Sequence, residues 1–187
     1  MATQFVLFLL MISCYALTIV KADDTGFVGS VDLSMSEKKQ TMSQFRFYFH
    51  EILNGPNATA ATVADALPKY NTTTFFGLVG IMDNILTLGP DRNSKAVGRV
   101  QGLYAATSQT NFTLVPVLNF ILSQGKYNGS YITVLGWNPM NLKVREMPVI
   151  GGSGVFRFAR GYVETNTIFL DLQNGSTIEY NIYVSHY

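Results

Sequence analysis

This sequence predicts an all-β chain closed into an eight-stranded antiparallel barrel. Three observations carry that expectation. Runs rich in Val, Ile, Thr, Tyr and Phe recur with period-two alternation. Two Asn-Gly dipeptides, Asn128-Gly129 and Asn174-Gly175, stand between such runs, and Asn-Gly is the strongest short-range hairpin signal. The runs number about eight and are evenly spaced, with no internal repeat, low-complexity tract or linker, which favours one closed barrel domain.

The first segment is an address. Phe5 to Val20 is an almost unbroken apolar run, shorter than the roughly 20 apolar residues of a membrane span. Val20-Lys21-Ala22 places small or aliphatic residues at the −3 and −1 positions of a signal-peptidase site, and the acidic pair Asp23-Asp24 follows. Residues 1–22 therefore read as a cleaved secretory signal, with a membrane anchor as the alternative. Residues 23–187 read as the mature domain. Cleavage removes Cys14, the only cysteine, so a hydrophobic core rather than disulfides must hold the domain, and the chain is long enough for that.

The first strand is expected over Gln44 to Ile52, with Phe45, Phe47, Phe49 and Glu51 on one face. Thr74 to Met82 is a continuous apolar run with two glycines, ended by Asp83, which reads as a turn residue. Lys95 to Thr107 alternates over a long stretch. Phe112 to Leu122 is a further strand in which Pro116 marks an edge, bulge or bend. Tyr131–Leu135, Met147–Ile150, Val155–Thr165, Thr167–Leu172 and Thr177–Val184 complete the set. Asn57 to Leu67 is the one segment with a helical reading.

Two faces suggest a lumen. Ala96, Gly98, Val100, Gly102, Tyr104 and Ala106 share one face, and Ala159, Gly161, Val163 and Thr165 share another. Small residues on an inward face either leave volume for a ligand or let strands pack closely. Glu51 either sits among the three Phe as a carboxyl with raised pKa, fit for acid or base chemistry, or is solvated at a strand end. Arg145 either binds a phenolate or ligand carbonyl, or lies on the surface.

Charge and composition exclude several functions. Of 187 residues, 13 are Lys or Arg and 12 are Asp or Glu, so the net charge of +1 supplies no footprint for nucleic acid. Two His and one Cys leave no metal-ligand spacing and no cofactor motif. Neither His50 nor His186 has the neighbours of a catalytic triad. Gly151-Gly152-Ser153-Gly154 lacks the Lys-Ser/Thr of a phosphate loop. Asn-x-Ser/Thr acceptors occur at Asn57, Asn71, Asn111, Asn128 and Asn174, which in a secreted chain point to a glycoprotein.

Several segments together resemble plant dirigent proteins. Phe47-Tyr48-Phe49-His50-Glu51-Ile52-Leu53 resembles the family's FYFHDIL opening, and Ser94-Lys95-Ala96-Val97-Gly98-Arg99-Val100-Gln101-Gly102-Leu103-Tyr104 resembles its SK-VGR-QG-Y strand. Arg145-Glu146-Met147-Pro148-Val149-Ile150-Gly151-Gly152-Ser153-Gly154 and Glu179-Tyr180-Asn181-Ile182-Tyr183-Val184 follow in the expected order. The resemblance runs from about Gln44 to Tyr187. It implies an eight-stranded barrel, a homo-oligomer (a trimer, or a dimer), secretion to the apoplast of the plant cell wall, and no cofactor or metal. It also implies phenolic small molecules or their radicals as partners, with no nucleic acid and no membrane after signal cleavage.

Residue by residue, the resemblance implies Glu51, Arg145 and Tyr104 as catalytic groups. Phe49, Asn138, Glu146 and Thr165 are the implied substrate-binding set. Glu51 replaces the family's Asp, and Asn138 replaces a second acid of lignan-type members; the cysteine pair of those members is absent. Lignan-type dirigent proteins steer phenoxy radicals, made by a separate laccase or peroxidase from a monolignol such as coniferyl alcohol, toward one stereoisomer. The dirigent-like branch also includes pterocarpan synthases, which dehydrate an isoflavanol and close a ring through a quinone methide without oxidant. The first expectation is stereoselective radical coupling. The alternatives are the dehydratase and cyclase chemistry, and a non-catalytic phenolic-binding defence protein.

Overall fold

The computed structural model describes residues 39–187. The expected signal, residues 1–22 with Cys14, and the start of the expected mature domain lie outside the described residues.

Ten strands follow in order: β1 (Thr41–Ile52), β2 (Ala60–Ala64), β3 (Val79–Thr87), β4 (Ala96–Ala106), β5 (Thr113–Leu122), β6 (Tyr131–Leu135), β7 (Asn138–Pro139), β8 (Val144–Gly152), β9 (Arg160–Asp171) and β10 (Gly175–His186). Eight of them, β1-β10-β9-β8-β6-β5-β4-β3, pair antiparallel in that order, and β3 returns to β1 through Tyr48↔Thr87, Phe49↔Leu86 and His50↔Ile85. The sheet is thereby closed, which removes exposed edges. β2 and β7 are short additions on β3 and β5. The expected eight-stranded barrel is the fold observed.

Alternation decides what faces inward. Phe45, Phe47 and Phe49 of β1 oppose Ile182, Tyr180 and Ile178 of β10, and Val163 and Thr165 of β9 continue those rows. One half of the interior is solid. Phe120, Ile132, Val134, Met147, Val163, Ile182 and Val184 are fully buried there. Rings close this end: Phe45 meets Tyr127 and Phe156 edge-on at 5.0 and 5.8 Å, and Phe156 meets His186 at 5.2 Å. Such pairs contribute beyond their buried area.

Both Asn-Gly dipeptides turn hairpins as expected. Gly175 has φ +139°, and the Asp171 carboxylate accepts from the backbone N–H groups of Gln173 and Asn174. Pro116 interrupts a pairing rather than marking an edge. On one side of β5, Thr113 and Leu114 pair with β7 and Val117 to Ile121 pair with β6, so the proline falls in the gap between them.

Four local expectations need correction. The helical reading of Asn57 to Leu67 fails, because Ala60–Ala64 is strand β2, filling the part of the β3 edge that β1 leaves unpaired. Asp83 is not a turn residue. It lies in mid-β3, and its carboxylate accepts from Arg99 Nε on β4 at 2.5 Å. The apolar run 74–82 is half loop, since β3 begins only at Val79. The two segments expected around Asn166 form one strand, β9, with a register shift where Thr177 and Ile178 oppose Phe169 and Thr167.

Candidate functional site

The closed end is full, so the space lies at the other end, within and above the mouth. A cavity of about 190 Å³ opens there. That exceeds the roughly 150 Å³ apolar cavity known to take up benzene. Its walls are largely apolar: Phe49, Phe75, Phe112, Met82, Met140 and leucines from strands and mouth loops. The polar groups are few, namely Glu51, Thr62, Tyr104, Asn138, Ser176 and Tyr180.

Of the two readings of the inward-face glycines, close strand packing is the one observed. A Cβ on Gly98, Gly102 or Gly161 would run into the backbone carbonyl of Ile121, Val117 or Tyr183 on the adjacent strand. These glycines let strands approach and coil; they do not make the cavity. Val100, Ala106, Ala159 and Val163 from the same faces are buried core. Gly80 is the exception. A Cβ there would fall 2.5 Å from Cζ of Tyr104, so the Tyr104 ring lies over the bare Gly80 backbone, opposite it in register.

Glu51 is the last inward residue of the Phe45, Phe47, Phe49 row. Its Oε2 accepts from the Ser176 hydroxyl at 3.2 Å, and Ser176 is its register partner on β10. Burial raises the Glu51 carboxyl above its ordinary value of 4.5, and the Ser176 hydrogen bond partly opposes this. The Tyr104 phenol is pushed up to about 12, first by burial and then by Glu51. Tyr180 is raised by burial as well, and Arg145 opposes that rise. The cavity therefore holds a carboxyl that keeps its proton more readily than usual and two phenols that stay neutral.

Arg145, Thr165 and Tyr180 occupy one row across β8, β9 and β10. Arg145 is only 3% exposed. Its Nη1 donates to Thr167 Oγ1 at 2.9 Å and to the Leu142 carbonyl at 3.4 Å, while Nε and Nη2 have no partner among the described residues. Burial lowers its pKa, and the neighbouring Tyr180 opposes the shift. Asn138, on β7, is 4% exposed and its Oδ1 is likewise unpaired. Unmet buried polar atoms are costly, and of these the Asn138 Oδ1 belongs to a residue of the cavity wall.

Placement of the expected residues is uneven. Glu51, Tyr104, Phe49 and Asn138 line the cavity together. Arg145 is not part of its lining, and stands beside Tyr180, which is. Thr165 is buried in the row, and its hydroxyl donates to the Glu179 carbonyl, so it positions rather than contacts. Glu146 is exposed on the outward face of β8, which takes it away from the cavity, because alternation sends the residue after inward Arg145 outside. His50 also faces outward. Its ring is held by Thr87 Oγ1 at 2.8 Å and Thr177 Oγ1 at 3.2 Å. Sequence reasoning missed Tyr180 and Ser176. The β10 alternation Ser176, Ile178, Tyr180 against the β1 row was the available signal.

A closed antiparallel barrel with a largely apolar cavity, one carboxyl and two neutral phenols at its wall defines a barrel with an internal small-molecule-sized site. Comparison with known proteins agrees. A family model described as "Dirigent-like protein" matches residues 42–185. "Dirigent protein 7" of Arabidopsis thaliana is 48% identical over 80% of this chain and 80% of its own. "Pterocarpan synthase 1" of Glycyrrhiza echinata is 41% identical over 83% of this chain and 82% of its own. The solved structure of the pterocarpan synthase dirigent protein GePTS1 superposes with a TM-score of 0.74 at 38% identity, covering 80% of this chain and 87% of that one. The chain belongs to the dirigent family.

Proposed function

We propose that this protein dehydrates one phenolic substrate of the isoflavanol class and closes a ring on it through a quinone methide, the chemistry that the sequence resemblance implies for pterocarpan synthases, and two of the similar proteins carry that name. The observation that carries this reading is Glu51. A carboxyl whose proton is held by burial at the wall of an apolar cavity is a general acid.

In that reading Glu51 gives its proton to a benzylic hydroxyl, whose C–O bond breaks and which leaves as water. The conjugated phenol gives up its own proton to solvent, leaving a neutral quinone methide. A second phenolic hydroxyl of the same molecule then adds to the methide carbon. The added hydroxyl returns its proton to Glu51, and the carbonyl oxygen regains the proton that the phenol gave up. Net change is loss of one water, with no oxidant. Tyr104 and Asn138 orient the substrate's oxygens, and the aromatic wall fixes which face of the methide is open, a positioning effect. The Arg145 guanidinium, beside Tyr180, favours negative charge developing on the phenolic oxygen.

The wall itself favours a second reading. Phe49, Phe75 and Phe112 can hold aromatic rings without any proton transfer, which is what stereoselective coupling of phenoxy radicals from a separate laccase or peroxidase requires. Isoflavanol turnover without any oxidase, read by chiral chromatography, supports the first reading; enantiomeric enrichment only of monolignol coupling products, and only with oxidase, supports the second.

Secretion to the apoplast and assembly as a homo-oligomer belong to the same proposal. The five exposed Asn-x-Ser/Thr sites support the first. Tyr131, Leu135, Val144, Ile150 and Tyr162, exposed on neighbouring β6, β8 and β9, support the second. A monomer in sedimentation equilibrium at micromolar concentration would contradict the assembly.

A further inference from the structure

Four of the five Asn-x-Ser/Thr sites stand on the loops that build the cavity mouth. Asn57 lies between β1 and β2, Asn71 between β2 and β3, Asn111 between β4 and β5, and Asn174 between β9 and β10; all four are exposed. The same loops supply wall residues: Leu53, Phe75, Phe112 and Leu172. No site is more than four positions along the chain from one of these. Asn128 differs. It lies between β5 and β6, at the end closed by Tyr127 and Phe156, and its loop contributes nothing to the cavity.

We propose that Asn57, Asn71, Asn111 and Asn174 carry N-linked glycans forming a collar around the mouth, which passes small phenolic molecules and holds macromolecules away. A glycan is bulky and hydrated, and four of them spaced around one opening occupy the approach that a docking protein needs. Any oxidase therefore delivers its products by diffusion, without seating on the mouth. The folded loops accommodate the modification. Asn174 Nδ2 donates to Asp171 Oδ2 at 2.7 Å, and a glycosylated amide keeps one N–H with which to do so. In the Asn174-Gly175-Ser176 acceptor, Ser176 also donates to Glu51. One short stretch thus serves the rim and the acid, and replacing Ser176 would confound the two.

The inference rests on the secretory route proposed above. The full chain is secreted from a plant cell line, and occupancy is read by the mass shift of each Asn after peptide N-glycosidase treatment in heavy-oxygen water. Access is read without any ligand. Leu172, exposed at the rim, is changed in a Leu172→Cys variant and labelled with N-ethylmaleimide or with a polymer-bearing maleimide. The collar predicts occupied mouth sites, equal N-ethylmaleimide rates before and after enzymatic deglycosylation of the folded protein, and a several-fold faster polymer reaction after it. Asn128→Gln leaves that ratio unchanged. An occupied Asn128 with bare mouth sites, or polymer labelling indifferent to deglycosylation, overturns the collar alone. A chain without glycan at any of the five sites overturns the secretory reading with it. The deglycosylation arm acts on protein already folded, so failure of multiple Asn→Gln variants to fold does not obscure the result.

Discussion

The Ser176 hydroxyl donates to the Glu51 carboxylate across 3.2 Å, from the strand paired directly beside it. Among the described residues this is the one hydrogen bond that Glu51's side chain receives from another side chain, at the wall of a largely apolar cavity. Burial and hydrogen bonding therefore pull its proton affinity in opposite directions, and burial prevails.

Stability should record that balance. A carboxyl raised in the folded state binds its proton more tightly there than when unfolded. Its contribution is complete below the unfolded value and is lost as pH rises through the folded one. Glu51→Gln carries no such charge. Its melting temperature relative to the parent should therefore increase as pH rises from the ordinary value of 4.5 through the raised folded one, and level off above it. Parallel melting curves across that range would contradict a buried carboxyl.

Arg145 should show the opposite settings for stability and function. Its guanidinium is buried with Nε and Nη2 unpaired. Arg145→Met keeps much of the volume and removes the unmet donors, so thermal unfolding should show a gain of about 1–3 kcal/mol. Product formation should fall in the same variant. Stability lost as well as activity would mean that the guanidinium has partners in solution that satisfy it.

Gly80 and Gly102 face the same interior yet should fail differently. At Gly80 an added methyl meets the Tyr104 ring, a side chain that can turn away. Gly80→Ala should cost about 1–2 kcal/mol and alter the enantiomer ratio. At Gly102 the methyl meets the Val117 carbonyl, part of the backbone ladder. Gly102→Ala should cost about 3 kcal/mol or more, measured by urea unfolding. Equal costs at the two sites would contradict their assignment to cavity wall and strand packing.

Tyr104→Phe keeps the ring over Gly80 and removes only the phenol oxygen. Binding of a phenolic substrate, followed by calorimetry, should weaken by about 1 kcal/mol while the melting temperature hardly moves. A large loss of stability would make Tyr104 a structural residue.

Much of this site was legible in the sequence, and the physical reasons separate what was from what was not. The Phe45, Phe47, Phe49, Glu51 row is visible because strand alternation has a period of two, and its inward orientation follows. Tyr180 was hidden because its place depends on the register of β10 against β1, which no local pattern states. Glu146 was drawn into the site by the family resemblance, although alternation puts it on the face opposite Arg145. Gly102 and Gly161 stayed open between two readings because composition cannot distinguish room for a ligand from room for a carbonyl. The β2 segment resembled a helix because what makes it a strand is an unpaired stretch of β3, far away in sequence.

Glu51 as the proton donor is the centre of this account, and isoflavanol turnover without oxidase tests it most directly. Parent protein and Glu51→Gln are compared, with the fold of each verified by circular dichroism and the product resolved on a chiral column. The account predicts one enriched ring-closed enantiomer from the parent and a rate lower by about 10²–10⁴-fold in Glu51→Gln. A folded Glu51→Gln that turns over as fast as the parent contradicts it.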